Sequence, residues 1–127
     1  NATDIHGRNS IDFNAETLEQ LKAEQKVVLV NMTADWCITC KVNEQIALNT
    51  QAVSAALADE NVTYMVGDWT NKNDEILDYL KHYERAGVPL YVVYAGTNSY
   101  TVLPQMLSPG IVVNALKQAQ EELSNVN

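Results

Sequence analysis

Two cysteines stand three residues apart, Cys37 and Cys40, and the chain has no others. A pair at that spacing can close a small disulfide ring and reopen it by exchange, provided that one sulfur is held as a thiolate near neutral pH. The flanking residues supply the means. Val27 to Thr33 is a β-branched run, long enough for a strand and too apolar for an amphipathic surface helix, so it reads as a buried central strand. Lys41 to Leu48 has helix-forming composition with no Gly or Pro. Cys37 therefore falls at a strand-to-helix junction, where unpaired backbone N–H groups and the positive end of the helix dipole favour the thiolate. Cys40 lies one turn further in on the same face. Cys37 is the expected nucleophile and Cys40 the resolving thiol.

Other uses of the pair have less behind them. Zinc needs about four ligands, and the chain adds only two isolated histidines, His6 and His82. Covalent haem attachment needs His after the second Cys, and position 41 is Lys. A purely structural disulfide would close too short a loop to add much stability. Neither a metal nor a bound cofactor is expected. Glu44 stands four residues after Cys40 and seven after Cys37, on their helix face. Its carboxylate would disfavour thiolate and could accept the Cys40 proton, or it could be a solvated helix glutamate. Trp36, beside Cys37, and Trp69 either shield the sulfurs from water or fill core, with Trp36 the stronger candidate.

Strand, W-C-x-x-C-K and helix together resemble the thioredoxin superfamily. The wider stretch from Thr33 to Glu44, with D-W-T-N at Asp68 to Asn71 and G-V-P-L-Y at Gly87 to Tyr91, is most similar to the C-terminal thioredoxin-like domain of the DsbD and ScsB disulfide-interchange proteins. The resemblance covers roughly Val27 to Leu116. It implies an acidic residue at Glu44 and a cis-proline loop at Pro89, with the Val88 backbone offered to the partner chain. It also implies a departure. At Asn31 thioredoxins and many relatives carry a buried, proton-relaying Asp, and Asn cannot titrate. Glu44, Asp35 or water must then serve, while Asn31 satisfies neighbouring polar groups.

A length of 127 residues fits one domain with a core of its own. The formal net charge of −8 lacks the basic footprint of a nucleic-acid binder and argues against anionic membrane surfaces. No apolar run approaches the ~20 residues of a membrane helix. The chain opens on Asn1 without a signal segment, so a processed product or a domain of a longer protein is expected. Residues 1 to 10 read as a polar leader containing His6, and residues 11 to 127 as a single domain.

The remaining elements follow from pattern. Ile11 to Phe13 is a short strand or extended entry. Asn14 caps a helix to about Glu24, with Phe13 and Leu18 as a hydrophobic staple. Asn49 and Thr50 break the helix after the cysteines. Val62 to Gly67 is a strand, and Asp74 to Tyr83 a helix with Ile76, Leu77 and Leu80 inward and His82 at its end. Leu90 to Tyr94 and Tyr100 to Leu103 form a hairpin. Ser108 caps and Pro109 starts a last helix, to about Leu123. The order gives an α/β, thioredoxin-like fold: a central mixed sheet flanked by helices.

The expected activity is thiol-disulfide exchange by a reductant, because uncharged Ile38 and Thr39 between the sulfurs offer no added thiolate stabilisation of the kind strong oxidants use. The resemblance implies a membrane-embedded electron-donor domain and a periplasmic acceptor domain as partners. It places this chain in the periplasm, as the soluble C-terminal domain of a larger inner-membrane protein. A monomer is the default. A disulfide oxidase or isomerase, or a redox-sensing binding module, would share the same residues.

Overall fold

The computed structural model describes residues 10–126. His6 and most of the expected leader lie outside the described residues; Ser10, the leader's last residue, is buried. The chain runs β1 (Ile11–Asp12), α1 (Ala15–Ala23), β2 (Val27–Thr33), α2 (Ile38–Asn43) continued by a π-helical turn (Glu44–Leu48), α3 (Gln51–Leu57), β3 (Val62–Asp68), α4 (Asp74–His82), β4 (Leu90–Ala95), β5 (Ser99–Val102) and α5 (Pro109–Val126).

Side chains set the helix starts. Asn14 accepts from the Thr17 N–H at 2.9 Å, Asn73 from Ile76 at 3.0 Å and Ser108 from Ile111 at 3.2 Å, each satisfying a donor that the first helical turn leaves unpaired. Thr50 does the same for Val53, which is why the helix breaks at Asn49 and Thr50 and restarts.

The sheet order is β1-β3-β2-β4-β5. β2 pairs in parallel with β3 and antiparallel with β4, and β5 closes an antiparallel hairpin on β4 around Gly96, whose φ of 55° suits the turn. The expected mixed sheet flanked by helices is the observed one. All seven β2 residues are buried because helices cover both faces. Val27 and Leu29 join the core under α3 and α5, whereas Val28, Val30 and Met32 join the core under α1 and α4. Truncating a fully buried side chain such as Leu29 to Ala would cost about 2–5 kcal/mol.

Some expectations need correction. On α4, Leu77 is only half-buried, and Tyr79 packs against the core in its place, because its ring fits between Phe13 and Tyr83. β5 begins and ends one residue earlier than expected: Ser99 already pairs with Ala95, and Leu103, whose N–H still reaches the Tyr91 carbonyl, sends its side chain into the core. α5 continues to Val126, as nothing after Leu123 breaks it.

Candidate active site

The chain leaves β2 at Thr33, makes a short turn in which the Cys37 N–H reaches the Ala34 carbonyl, and enters α2. Cys37 is the N-cap. Its Sγ accepts from the Cys40 N–H at 3.1 Å, so the sulfur occupies the place usually taken by a capping oxygen. Cys37 and Cys40 are joined in a disulfide with their Cα atoms 5.3 Å apart. Cys40 is 1% exposed and Cys37 7%, so an incoming disulfide meets Cys37 first. Ile38 stands 80% exposed between them.

The two sulfurs pack with Ala34 and with half-buried Val88. The Val88–Pro89 peptide is cis, Pro89 is buried, and the Pro89 carbonyl accepts from the Arg85 guanidinium at 3.2 Å. Trp36 does not cover the pair as a core residue would. It is 58% exposed, its ring tilted against that of Trp69 with centroids 6.1 Å apart and its Nε1 donating to the Thr70 carbonyl at 3.2 Å. Thr70 also takes the Asp35 N–H at 2.9 Å, and Asp68 Oδ1 accepts from the Thr70 N–H and hydroxyl. The D-W-T-N segment therefore braces the turn before Cys37. Asp35 is exposed and pairs at 3.7 Å with Lys41, a surface pair of small worth.

Beneath the helix lies a polar layer. Glu44, the first residue of the π-helical turn, is 9% exposed, so the solvated reading is excluded. Its N–H goes to the Cys40 carbonyl, and its Oε2 accepts from the Thr33 hydroxyl at 3.5 Å. Asn43 donates to the Tyr91 hydroxyl at 2.9 Å and to the Gln105 carbonyl at 2.7 Å, and accepts from the Leu107 N–H at 2.9 Å, which ties the segment before α5 to the active-site helix. Tyr91 is pushed up to about 12 by burial, with the charge of Glu44 adding to the rise and the Asn43 hydrogen bond opposing it. Asn31 donates to the Tyr64 hydroxyl at 2.9 Å, but its Oδ1 is buried without a partner. Asn31 thus serves one neighbouring polar group, the Tyr64 hydroxyl.

A family model described as Thioredoxin-like (Thioredoxin_7) matches residues 10–96. The chain belongs to the thioredoxin-like family. Within that family it is similar to the thiol:disulfide interchange protein DsbD of Actinobacillus pleuropneumoniae, at 35% identity over 81 residues, covering 63% of this chain and 14% of that protein. DsbD of Pseudoalteromonas atlantica is 29% identical over 94 residues, 70% of this chain and 15% of that protein. This thioredoxin-like chain thus spans about one-seventh of the relatives it matches. The oxidised C-terminal domain of Neisseria meningitidis DsbD superposes with a TM-score of 0.67 at 23% identity, covering 87% of this chain and 98% of that one.

Cys37, Cys40 and Val88 thus meet in one apolar cluster, Glu44 lies in the polar layer beneath, and Trp36 is not part of the cluster but stands exposed against Trp69. Sequence reasoning passed over Thr33, Asn43, Thr70 and Arg85. Thr33, Asn43 and Thr70 lie in the quoted stretches but contact partners that only the fold identifies, and Arg85 lies outside those stretches. Among the described residues, no three His, Cys, Asp or Glu side chains gather to hold a metal ion.

Proposed function

We propose that this thioredoxin-like chain is a protein-disulfide reductase that relays electrons by dithiol-disulfide exchange. The observation that carries the reading is the Cys37–Cys40 pair at the head of α2, with the cis Val88–Pro89 peptide beside it.

In the reduced protein, the Cys37 thiolate attacks one sulfur of a partner disulfide. A Cys37–partner bond forms, the partner S–S bond breaks, and the departing partner thiolate takes a proton. The mixed disulfide lies against Val88 and Pro89, where an extended partner backbone meets that of Val88, and Trp36 gives the partner an exposed apolar contact. Cys40 then loses its proton and attacks the Cys37 sulfur, which releases the second partner sulfur as a thiol and restores the Cys37–Cys40 disulfide. Two electrons have passed to the partner, and its two thiols take up two protons from water, which balance the proton Cys37 had already lost and the one Cys40 gives up. Glu44 accepts the Cys40 proton, being the one carboxylate among the buried described residues. The electrons reside in the S–S bond, so no bound cofactor enters.

Likeness to DsbD supports a membrane-embedded domain as electron donor and a periplasmic domain as acceptor, with this chain acting in the periplasm as the C-terminal domain of a larger inner-membrane protein. Among the described residues, no helix is long and apolar enough to cross a membrane. The equilibrium reduction potential of the pair tests the direction of flow. A value near the thioredoxin end, about −270 mV, is expected, whereas one near about −120 mV would make the chain an oxidase.

A further inference from the structure

The Pro89 carbonyl is held by something other than the sheet. β4 and its hairpin partner bond as far as Tyr91, whose carbonyl accepts from the Leu103 N–H at 2.9 Å. Pro89 lies two residues earlier, so its carbonyl points to the same side of the strand. No rung meets it there. The opposite chain has bent away at Gln105, whose own carbonyl turns to Asn43. In place of a backbone donor stands the Arg85 guanidinium, 3.2 Å from the Pro89 oxygen.

This is the use the fold makes of that charge. The chain has 16 acidic residues against 8 basic ones, yet no ion pair among the described residues involves Arg85. Its half-buried guanidinium makes a charge-assisted bond to one carbonyl instead. The backbone beneath it is equally fixed. Glu84 takes a left-handed φ of 58°, and the N–H groups of Glu84 and Arg85 close the end of α4 on the Lys81 and Leu80 carbonyls, both at 2.9 Å. Cap and guanidinium thus clip the loop at both ends, with Ala86, Gly87 and Val88 between them.

We infer that Arg85 is a positioning residue for partner docking: its guanidinium holds the Pro89 carbonyl and so fixes the Val88 backbone on which an extended partner chain is laid. The inference rests on the docking at Val88 proposed above. The linkage is short. The pyrrolidine ring sets φ of Pro89 and the bond from Arg85 sets the direction of its carbonyl, so no free torsion separates the Val88 peptide plane from the guanidinium. Val88 packs with the two sulfurs, so a backbone held still there is aimed at the disulfide under attack. A partner that pairs main chain to main chain binds more weakly if that backbone must first be ordered. A small disulfide without a peptide chain makes no such contact. Arg85 therefore sets a preference for disulfides carried in extended protein segments over free small ones. It gives up no proton in the exchange, since a guanidinium stays charged.

The test compares two disulfides reduced by the dithiol form of this chain in single turnovers. Insulin carries its disulfides in peptide chains, and bis(2-hydroxyethyl) disulfide has no backbone. Arg85→Met keeps the stem and loses the donors, whereas Arg85→Lys keeps a cationic donor. The ratio of the insulin rate constant to the small-disulfide one should fall about tenfold in Arg85→Met and return to within about threefold in Arg85→Lys. Should Arg85→Met not fold, Arg85→Gln takes its place with the same expectation. A ratio that holds, whether both rates stay or fall together, would overturn the inference, because the effect would then lie in the sulfurs or the fold. A Lys variant as impaired as the Met variant would overturn it too. The carbon-13 shift of the Pro89 carbonyl reports the bond directly: it should move in Arg85→Met and hold in Arg85→Lys, and an unmoved shift in Arg85→Met would also overturn the inference. Failure of the unsubstituted protein on both disulfides would instead remove the reductase reading, and the inference with it.

Discussion

The Sγ of Cys37 accepts a hydrogen bond from the backbone N–H of Cys40, 3.1 Å away. One contact therefore serves both structure and chemistry: it caps α2 and, in the dithiol form, places a donor where negative charge sits on the nucleophile. In the reduced protein Cys37, the more exposed of the two, should alkylate before Cys40. Cys37→Ser keeps a capping oxygen and Cys37→Ala does not. In urea the Ala variant should be the less stable of the two by about 1 kcal/mol, and equal stabilities would show that the sulfur caps nothing.

Glu44 is buried in the layer beneath the cysteines, on their helix face. Replacing it with Gln removes a negative charge while keeping size and polarity. The thiol pair should then ionise at lower pH, by about one unit, so that alkylation of Cys37 at about pH 6 runs roughly tenfold faster. An unchanged rate across the pH range would take Glu44 out of the reaction.

How much of this arrangement was legible beforehand depended on sequence separation. β2 was read at its observed bounds because an unbroken β-branched run is sufficient signal, and Cys37 and Cys40 because their partners lie in the next turn of chain. The polar layer was not. Asn43 meets Tyr91, Gln105 and Leu107 across separations of 48, 62 and 64 residues, and no local pattern encodes such contacts. Glu44 reads equally well as solvated or buried until α5 and β4 close over it. Likewise, the inability of Asn31 to titrate follows from its type, whereas its lone unpaired oxygen is a property of the packed core.

Asn31→Asp gives that packing a measurable consequence. A carboxyl placed at this 1%-exposed position would be desolvated, which holds it protonated in the folded state to higher pH than in the unfolded chain. For a carboxyl raised in this way, the folded state binds the extra proton, so stability is retained below about pH 4 and falls as pH rises through the folded value. The urea midpoint of the variant should drop more than that of the unsubstituted protein between about pH 4.5 and 7.5. The thiol titration should also gain a second, coupled step. Parallel urea profiles for the two proteins would mean that a side chain at position 31 is not held away from water.

On the opposite face of the sheet, the Tyr94 hydroxyl lies 2.7 Å from that of Tyr79 and 2.6 Å from that of Tyr83. All three are held above the ordinary tyrosine value, with burial the largest cause in each. The unfolded chain ionises near 10 and the folded cluster later, so the stability carried by these groups is intact below about pH 10 and lost as pH rises beyond it. Tyr79→Phe separates the contributions. Near pH 7 it should cost about 1 kcal/mol through the lost hydrogen bond. Near pH 11 that loss should largely vanish, because the variant's unfolded chain no longer gains the roughly 1.4 kcal/mol that ionising one tyrosine supplies a unit above its pKa. Equal destabilisation at both pH values would show that Tyr79 ionises as readily in the fold as out of it.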